Sequence, residues 1–250
     1  MQTAIAATDS QIRGLQEQYE ATTHNIANVT TAGYKRRITS FSALLAKQLA
    51  GTAGASTGQA YEALGMRVAA ETNVDFSQGP VTSTGRALDV ALFGDGFLMV
   101  ETPAGPLYTR HGSLRVNDAG QLTDAQGRLL AGRDGPLVLP PDVPLNEVGI
   151  SPSGEVQAGG ETLGTLRVMT FADKNVLQPA GATSLSAPDA VRPKDATGVT
   201  LRQRHLEQSN VNSMEEMVNL VTVSRMYEAN MKSVHMQDQR VRSLLQVAMS

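Results

Sequence analysis

The feature that most constrains this chain is a spacing repeated at its two ends. Near the N-terminus Ile5, Ile12, Leu15, Tyr19, Ile26 and Val29 fall three, four or seven residues apart, with Thr8 and Thr22 filling the gaps. Near the C-terminus Met217, Leu220, Ser224, Tyr227, Met231, Val234, Val241, Leu245 and Ala248 repeat the pattern, broken by Asp238. Such steps collect apolar groups on one narrow stripe of an α-helix. Water cannot satisfy that stripe, and neither end has enough sequence beside it to build a bundle alone. The two ends are therefore expected to form helices that pair with each other as a coiled-coil-like inner domain. A two-helix pair still leaves a flank bare, which neighbouring molecules would cover. Ser213 and Glu216 have capping-box spacing and are expected to start the second helix. Glu228 with Lys232 and Asp238 with Arg242 are i,i+4 pairs in the favourable orientation, each adding about 0.2–0.5 kcal/mol.

Between the helices the period changes. From about Leu88 to Met169 short apolar runs alternate with turn residues, in "RDGPLVLP" and "SPSGEVQ" for example. "ALDVALFGDGFLMVE" reads as two strands around an Asp95-Gly96 hairpin turn. Closely spaced glycine turns between short strands predict a compact antiparallel β domain. The expected fold class is thus α+β, with terminal helices around a central antiparallel all-β domain. Residues 1–45 with 206–250 form the helical domain, 46–80 an extended or mobile linker, 81–175 the β domain, and 176–205 a loop-rich connector. The linker expectation rests on "LAGTAGASTGQA", which is small and polar.

Composition narrows the function. A formal charge of -3 gives no basic field for nucleic acid. Aromatics are 4% of a chain without tryptophan, too few for base-stacking platforms. The lack of cysteine removes disulfides, thiolate metal sites and thiol nucleophiles together. The opening "MQTAIAATDSQIRG" makes a poor secretory signal, and no apolar run approaches membrane-spanning length, so a soluble chain with a retained N-terminus is expected.

No chemistry stands out. His24, His111, His205 and His235 lie far apart, without a metal-type partner at i+3 or i+4. "HGSLR" lacks the nucleophile elbow, and "FGDGF" has the wrong spacing for a phosphate loop. Nothing selects a pair among Asp89, Glu101 and Asp118. No catalytic, cofactor-binding or metal-ligating residue is therefore nominated, and the chain reads as a non-enzyme. Six of its ten methionines, Met214, Met217, Met226, Met231, Met236 and Met249, crowd the last helix. Flexible, polarizable side chains suit a surface that packs against several slightly different neighbours, though ordinary core filling explains them equally well.

"HNIANVTTAGYKRR", His24 to Arg37, separates helical from extended sequence. Asn28 can end the helix, Thr30 and Thr31 can bond freed backbone groups, and Gly33 can take the left-handed conformation. Tyr34 can anchor the outgoing chain by burial, while Lys35 to Arg37 read as a solvated edge near a helix C-terminus. The stretch is expected to be a structured elbow.

The same stretch carries a resemblance. "NIANVTTAGYKR" resembles the N-terminal signature of the flagellar rod and hook proteins of bacteria. "LEQSNVNSMEEMVNLVTVSRMYEANMKSV" resembles their C-terminal signature, in which Ser209, Asn210, Val211 and Asn212 lead into a helix carrying Arg225 and Glu228. "ALDVALFGDGFLMVETPAGPLYTRHGSLRVNDAGQL" is similar to their β-domain motif, with Leu98 where an aromatic residue is common. The three motifs keep the family's order and cover nearly the whole chain. Chain length is similar to that of the rod members, of proximal or distal type (FlgF-like or FlgG-like), rather than to a hook subunit.

The resemblance implies a structural subunit of the bacterial flagellar basal-body rod, polymerising helically into a torque-transmitting shaft around an export channel. It implies passage through the flagellar type III export apparatus without a cleaved signal, and assembly in the periplasm. The implied partners are further copies and other rod and hook proteins, with no nucleic acid, small-molecule substrate, cofactor or membrane insertion. Assembly contacts are expected from Ile5, Ile12, Leu15, Tyr19 and Ile26 with Met217, Leu220, Tyr227, Met231, Val234 and Leu245. Two other readings stand beside it: an adaptor docking through the same helices, or a hydrolase carried by the β domain.

Overall fold

The computed structural model describes residues 2–40 and 71–248. Two helices bracket it, α1 at Gln2–Ala27 and α2 at Ser213–Ala248. The registered strand pairs between them are antiparallel. The chain divides into two compact units.

The helical unit holds α1, α2 and a small sheet in which Arg37–Ser40 runs against Glu71–Val74. That second strand lies at the end of the stretch read as linker; residues 46–70 lie outside the described residues. Within the unit α1 packs on α2, burying Leu15, Ala21, Thr22 and Asn25 from one helix and Glu216 and Val223 from the other. The start of α2 differs from the expected capping box. Asn212 is the cap: its Oδ1 accepts the Met214 N–H at 3.1 Å and its carbonyl accepts the Glu216 N–H at 3.1 Å. Glu215, three residues on, accepts from Asn212 Nδ2 at 3.1 Å. The cap slides back by one residue because Glu216 is committed elsewhere, to a buried partner on α1.

The β unit takes Asn28–Arg36 and Phe76–Val211. Its largest sheet runs in the order Gln178–Pro179, Ser184–Ser186, Gly105–Thr109, Phe97–Thr102, Leu129–Leu130, Leu122–Thr123, Arg115–Val116, with Val168–Thr170 attached at Phe97–Thr102 and Lys194–Asp195 paired in turn with Val168–Thr170. A three-stranded sheet, Gly149–Ile150, Glu155–Ala158 and Glu161–Thr165, lies beside two paired ribbons. Leu88, Val90, Leu92, Leu98, Val100 and Leu114 lead one continuous apolar cluster. The residues read as a connector, 176–205, supply strands to these sheets, and Leu201 reaches the core.

The expected hairpin at Asp95-Gly96 does not form. Val90–Phe93 pairs with Thr200–Gln203, while Phe97–Thr102 pairs with Gly105–Thr109. Gly94, at φ +97°, and Gly96 turn the chain from one sheet into another; a Cβ on Gly96 would come within 2.7 Å of Val168 and 2.9 Å of Val199. Turn chemistry marks a reversal, but distant strands decided which edges joined.

Candidate assembly site

In the helical unit the two sides of α2 do different work. One side turns Glu216 and Val223 toward α1. On the other, Met214 lies three and four residues before Met217 and Val218, which lie four and three before Val221, and the four form a second apolar stripe. That stripe is bare: Met217 is 53% exposed and Val218 61%. Further along, Gln16 and Tyr19 of α1 line an open groove with Ser224, Tyr227 and Glu228 of α2. Both tyrosines are partly open to solvent, at 45% and 41% exposure.

The residues expected to carry assembly are thus distributed unevenly. Leu15 is buried, Ile12, Ile26, Leu220, Met231 and Val234 are half-buried, and Tyr19, Met217 and Tyr227 are exposed, as are Arg225 and Glu228. The side chains of Ile5 and Leu245 lie outside the described residues. Sequence spacing alone did not separate the α1-facing stripe from the bare one, because Val218 and Val221 fall off the heptad positions.

A polar knot sits inside the helical unit. Asn25 Oδ1 accepts the Arg37 N–H at 2.8 Å, and Asn25 Nδ2 donates to the Arg37 carbonyl at 2.9 Å and to Glu216 Oε2 at 3.3 Å. The side-chain amide imitates a strand partner for Arg37, so the sheet begins at a fixed point on α1. Asn25 and Glu216 are both buried, and a buried amide left without these bonds would be costly.

The elbow belongs to the β unit. Beyond the end of α1, Thr31 donates its N–H to the Asn28 carbonyl at 3.1 Å and its hydroxyl to Asn28 Oδ1 at 3.2 Å, while Thr30 is exposed. Gly33 takes φ +68° and donates its N–H to the Glu207 carbonyl at 2.7 Å. Tyr34 is buried as expected. Lys35 is not a solvated edge. Its Nζ lies 2.6 Å from Glu207 Oε1 and 2.7 Å from the Ser77 carbonyl, and both charged side chains are shut from water.

Glu207 is the hub that sequence reading missed. Oε1 also accepts the Gly79 N–H at 3.0 Å, and Oε2 faces Arg110 NH1 at 3.2 Å. Arg110 donates to the Gly94 carbonyl as well and lies over the Phe97 ring, 5.4 Å from its centre. Two cations around one carboxylate make a charge-assisted cluster in a dry setting. Each of the three sequence motifs supplies one member: the N-terminal motif Lys35, the β-domain motif Arg110, the C-terminal motif Glu207. One residue pair further, Asn210 Oδ1 accepts the Arg36 N–H at 2.7 Å and Asn210 Nδ2 reaches Ser77 O at 3.2 Å and Oγ at 3.0 Å. Ser209 and Val211 are buried and Asn212 is exposed.

Titrating groups are placed structurally. Burial pushes the His111 imidazole below its ordinary value, against the pull of Asp124 and Asp89. A hydrogen bond from Lys174, with that cation's charge, holds the Asp95 carboxyl below the usual range. His24 and His235 are exposed, and His205 Nδ1 lies 2.8 Å from the Gln203 carbonyl. Among the described residues no three His, Asp or Glu side chains gather as metal ligands, and no helix is long and apolar enough to cross a membrane.

Comparison with known proteins follows these regions. Residues 202–247 match the family model of the flagellar basal body rod FlgEFG protein C-terminal region, and residues 91–158 match that of the flagellar hook protein FlgE/F/G D1 domain. Glu207 lies in the first match and Arg110 in the second. The chain is 32% identical to a flagellar basal-body rod protein FlgG of Agrobacterium fabrum, over 94% of this chain and 95% of the relative. It is 30% identical to that of Caulobacter vibrioides, over 98% of each, and 28% identical to that of Bacillus subtilis, over 94% and 95%.

Proposed function

The chain belongs to the flagellar basal-body rod protein family, FlgF/FlgG-like, and from that premise we propose that it is a non-enzymatic rod subunit. Its terminal helices polymerise helically as a coiled-coil-like inner layer, giving a shaft that transmits torque around an export channel. Its partners are further copies and neighbouring rod and hook proteins, reached in the periplasm after passage through the flagellar export apparatus.

The observation that carries this reading is the bare stripe of Met214, Met217, Val218 and Val221, on a helix whose other side is already occupied by α1. A helix with two apolar faces has one more than a single helix pair can cover. Contacts between unlike surfaces, repeated without closing, generate an open helical tube. Methionines on the stripe can adapt to the slightly different neighbours that such a tube presents.

Replacing Val218 and Val221 together by aspartate tests it. Both side chains are exposed, so the chemical-denaturation midpoint of the isolated chain is expected to change by less than about 0.5 kcal/mol equivalent. Cells with only this variant are expected to lack complete rods and to stop swimming. Complete motors and normal swimming would refute the assembly face; loss of one defined partner with rods intact would favour an adaptor.

A further inference from the structure

We propose that Glu207 is a positioning residue that gathers into one set the chain ends leading out of the β unit. The chain passes between the two units after residues 27, 36, 75 and 211. Residues 28–36 therefore carry two ends of the β unit, Phe76 begins at a third, and Val211 closes at the fourth. Independent ends would each be free to shift.

A single carboxylate reaches all of these segments. Its oxygens bind Lys35 and the Gly79 N–H, its own residue's carbonyl takes the Gly33 N–H, and it lies four residues before Val211. Asn210 repeats the linkage one step outward, joining Arg36 to Ser77. Lys35 closes the loop by donating to the Ser77 carbonyl. Arg110 fastens the cluster to the large sheet through Gly94 and Phe97.

The choice of charge over grease points to position rather than stability. An apolar cluster of the same volume often stabilises a core as well as a buried ion pair does. It lacks direction, whereas a carboxylate accepting from Lys35, Gly79 and Arg110 is satisfied in one geometry only. The ends are then coupled: releasing one removes a bond on which the others depend. This inference does not require the rod reading, since its readout is the isolated full-length chain.

The experiment is amide hydrogen exchange on the full-length chain carrying Glu207→Gln, which keeps the shape and one acceptor oxygen but removes the charge. The amides of Gly33, Arg36, Gly79 and Gln208 are expected to exchange together, about tenfold faster. Those of Met99, Leu122 and Ala131, bonded within the sheet region, are expected to keep their rates. Acceleration confined to residues 206–208 would overturn the proposal, and so would equal acceleration at Met99, Leu122 and Ala131. The first result makes Glu207 a local contact, the second a general core group. Should Glu207→Gln fail to fold, half-exposed Asn210→Ala leaves the ion pairs intact. It is expected to speed Arg36, Gly33 and Gly79 in concert, and a change at Arg36 alone overturns the idea.

Discussion

A side chain at Gly33 would have to share space with the backbone of Arg110 and His111: its Cβ would stand 2.5 Å from the His111 nitrogen. The backbone there is also left-handed, at φ +68°, where a β-branched residue is strained. Gly33→Val is therefore expected to destabilise the β unit by about 3 kcal/mol, read as a shift in the denaturation midpoint. The neighbouring His111 makes a second residue-scale prediction. Burial holds its folded pKa below 6.5, so an unfolded chain takes up a proton near that pH which the fold refuses. Stability is full above about 6.5 and falls as pH drops from there toward the lower folded value. Denaturation midpoints measured from pH 7.5 to 5.5 are expected to fall, and His111→Leu is expected to flatten that slope. The left-handed turn at Gly33 was legible in the sequence because backbone conformation is a local property, whereas its bond to the Glu207 carbonyl and its close approach to His111 were not. Nor was the role of Lys35: its carboxylate partner is 172 residues away, and a run of three cations looks like a solvated edge until that partner is known.

At the scale of elements, the helices were legible and the strand partners were not. Three- and four-residue spacing is a property of one segment, so α1 and α2 could be read directly. Pairing is chosen between segments, and Thr200–Gln203 took the edge of Val90–Phe93 that an Asp-Gly turn had assigned elsewhere. The helix start was displaced for a related reason. Ser213 and Glu216 fit the capping-box spacing, yet Asn212 and Glu215 carry the cap and Glu216 is held by Asn25. Asn212→Ala is expected to cost about 1 kcal/mol and Ser213→Ala less than about 0.5, compared by urea denaturation followed by circular dichroism. Reversal of that order would reinstate the capping box at Ser213.

For the molecule as a whole, an α+β class with antiparallel sheets between terminal helices followed from where the period switches. What periodicity could not reveal is that the β unit is discontinuous in sequence. Residues 28–36 are built into it although α1 precedes them and a strand of the helical unit follows. A fragment of residues 76–211 alone would lack Lys35 and Gly33, leaving the Glu207 carboxylate and carbonyl short of two partners. Cutting the gene at apparent domain limits thus removes a piece of the core with the helix. The vacancy has a defined sequence, so it is expected to be filled in trans: a synthetic peptide spanning 28–36 should bind that fragment and raise its melting temperature. The same peptide with Gly33→Val and Lys35→Met should do neither, which makes the elbow a plug and the β unit its socket.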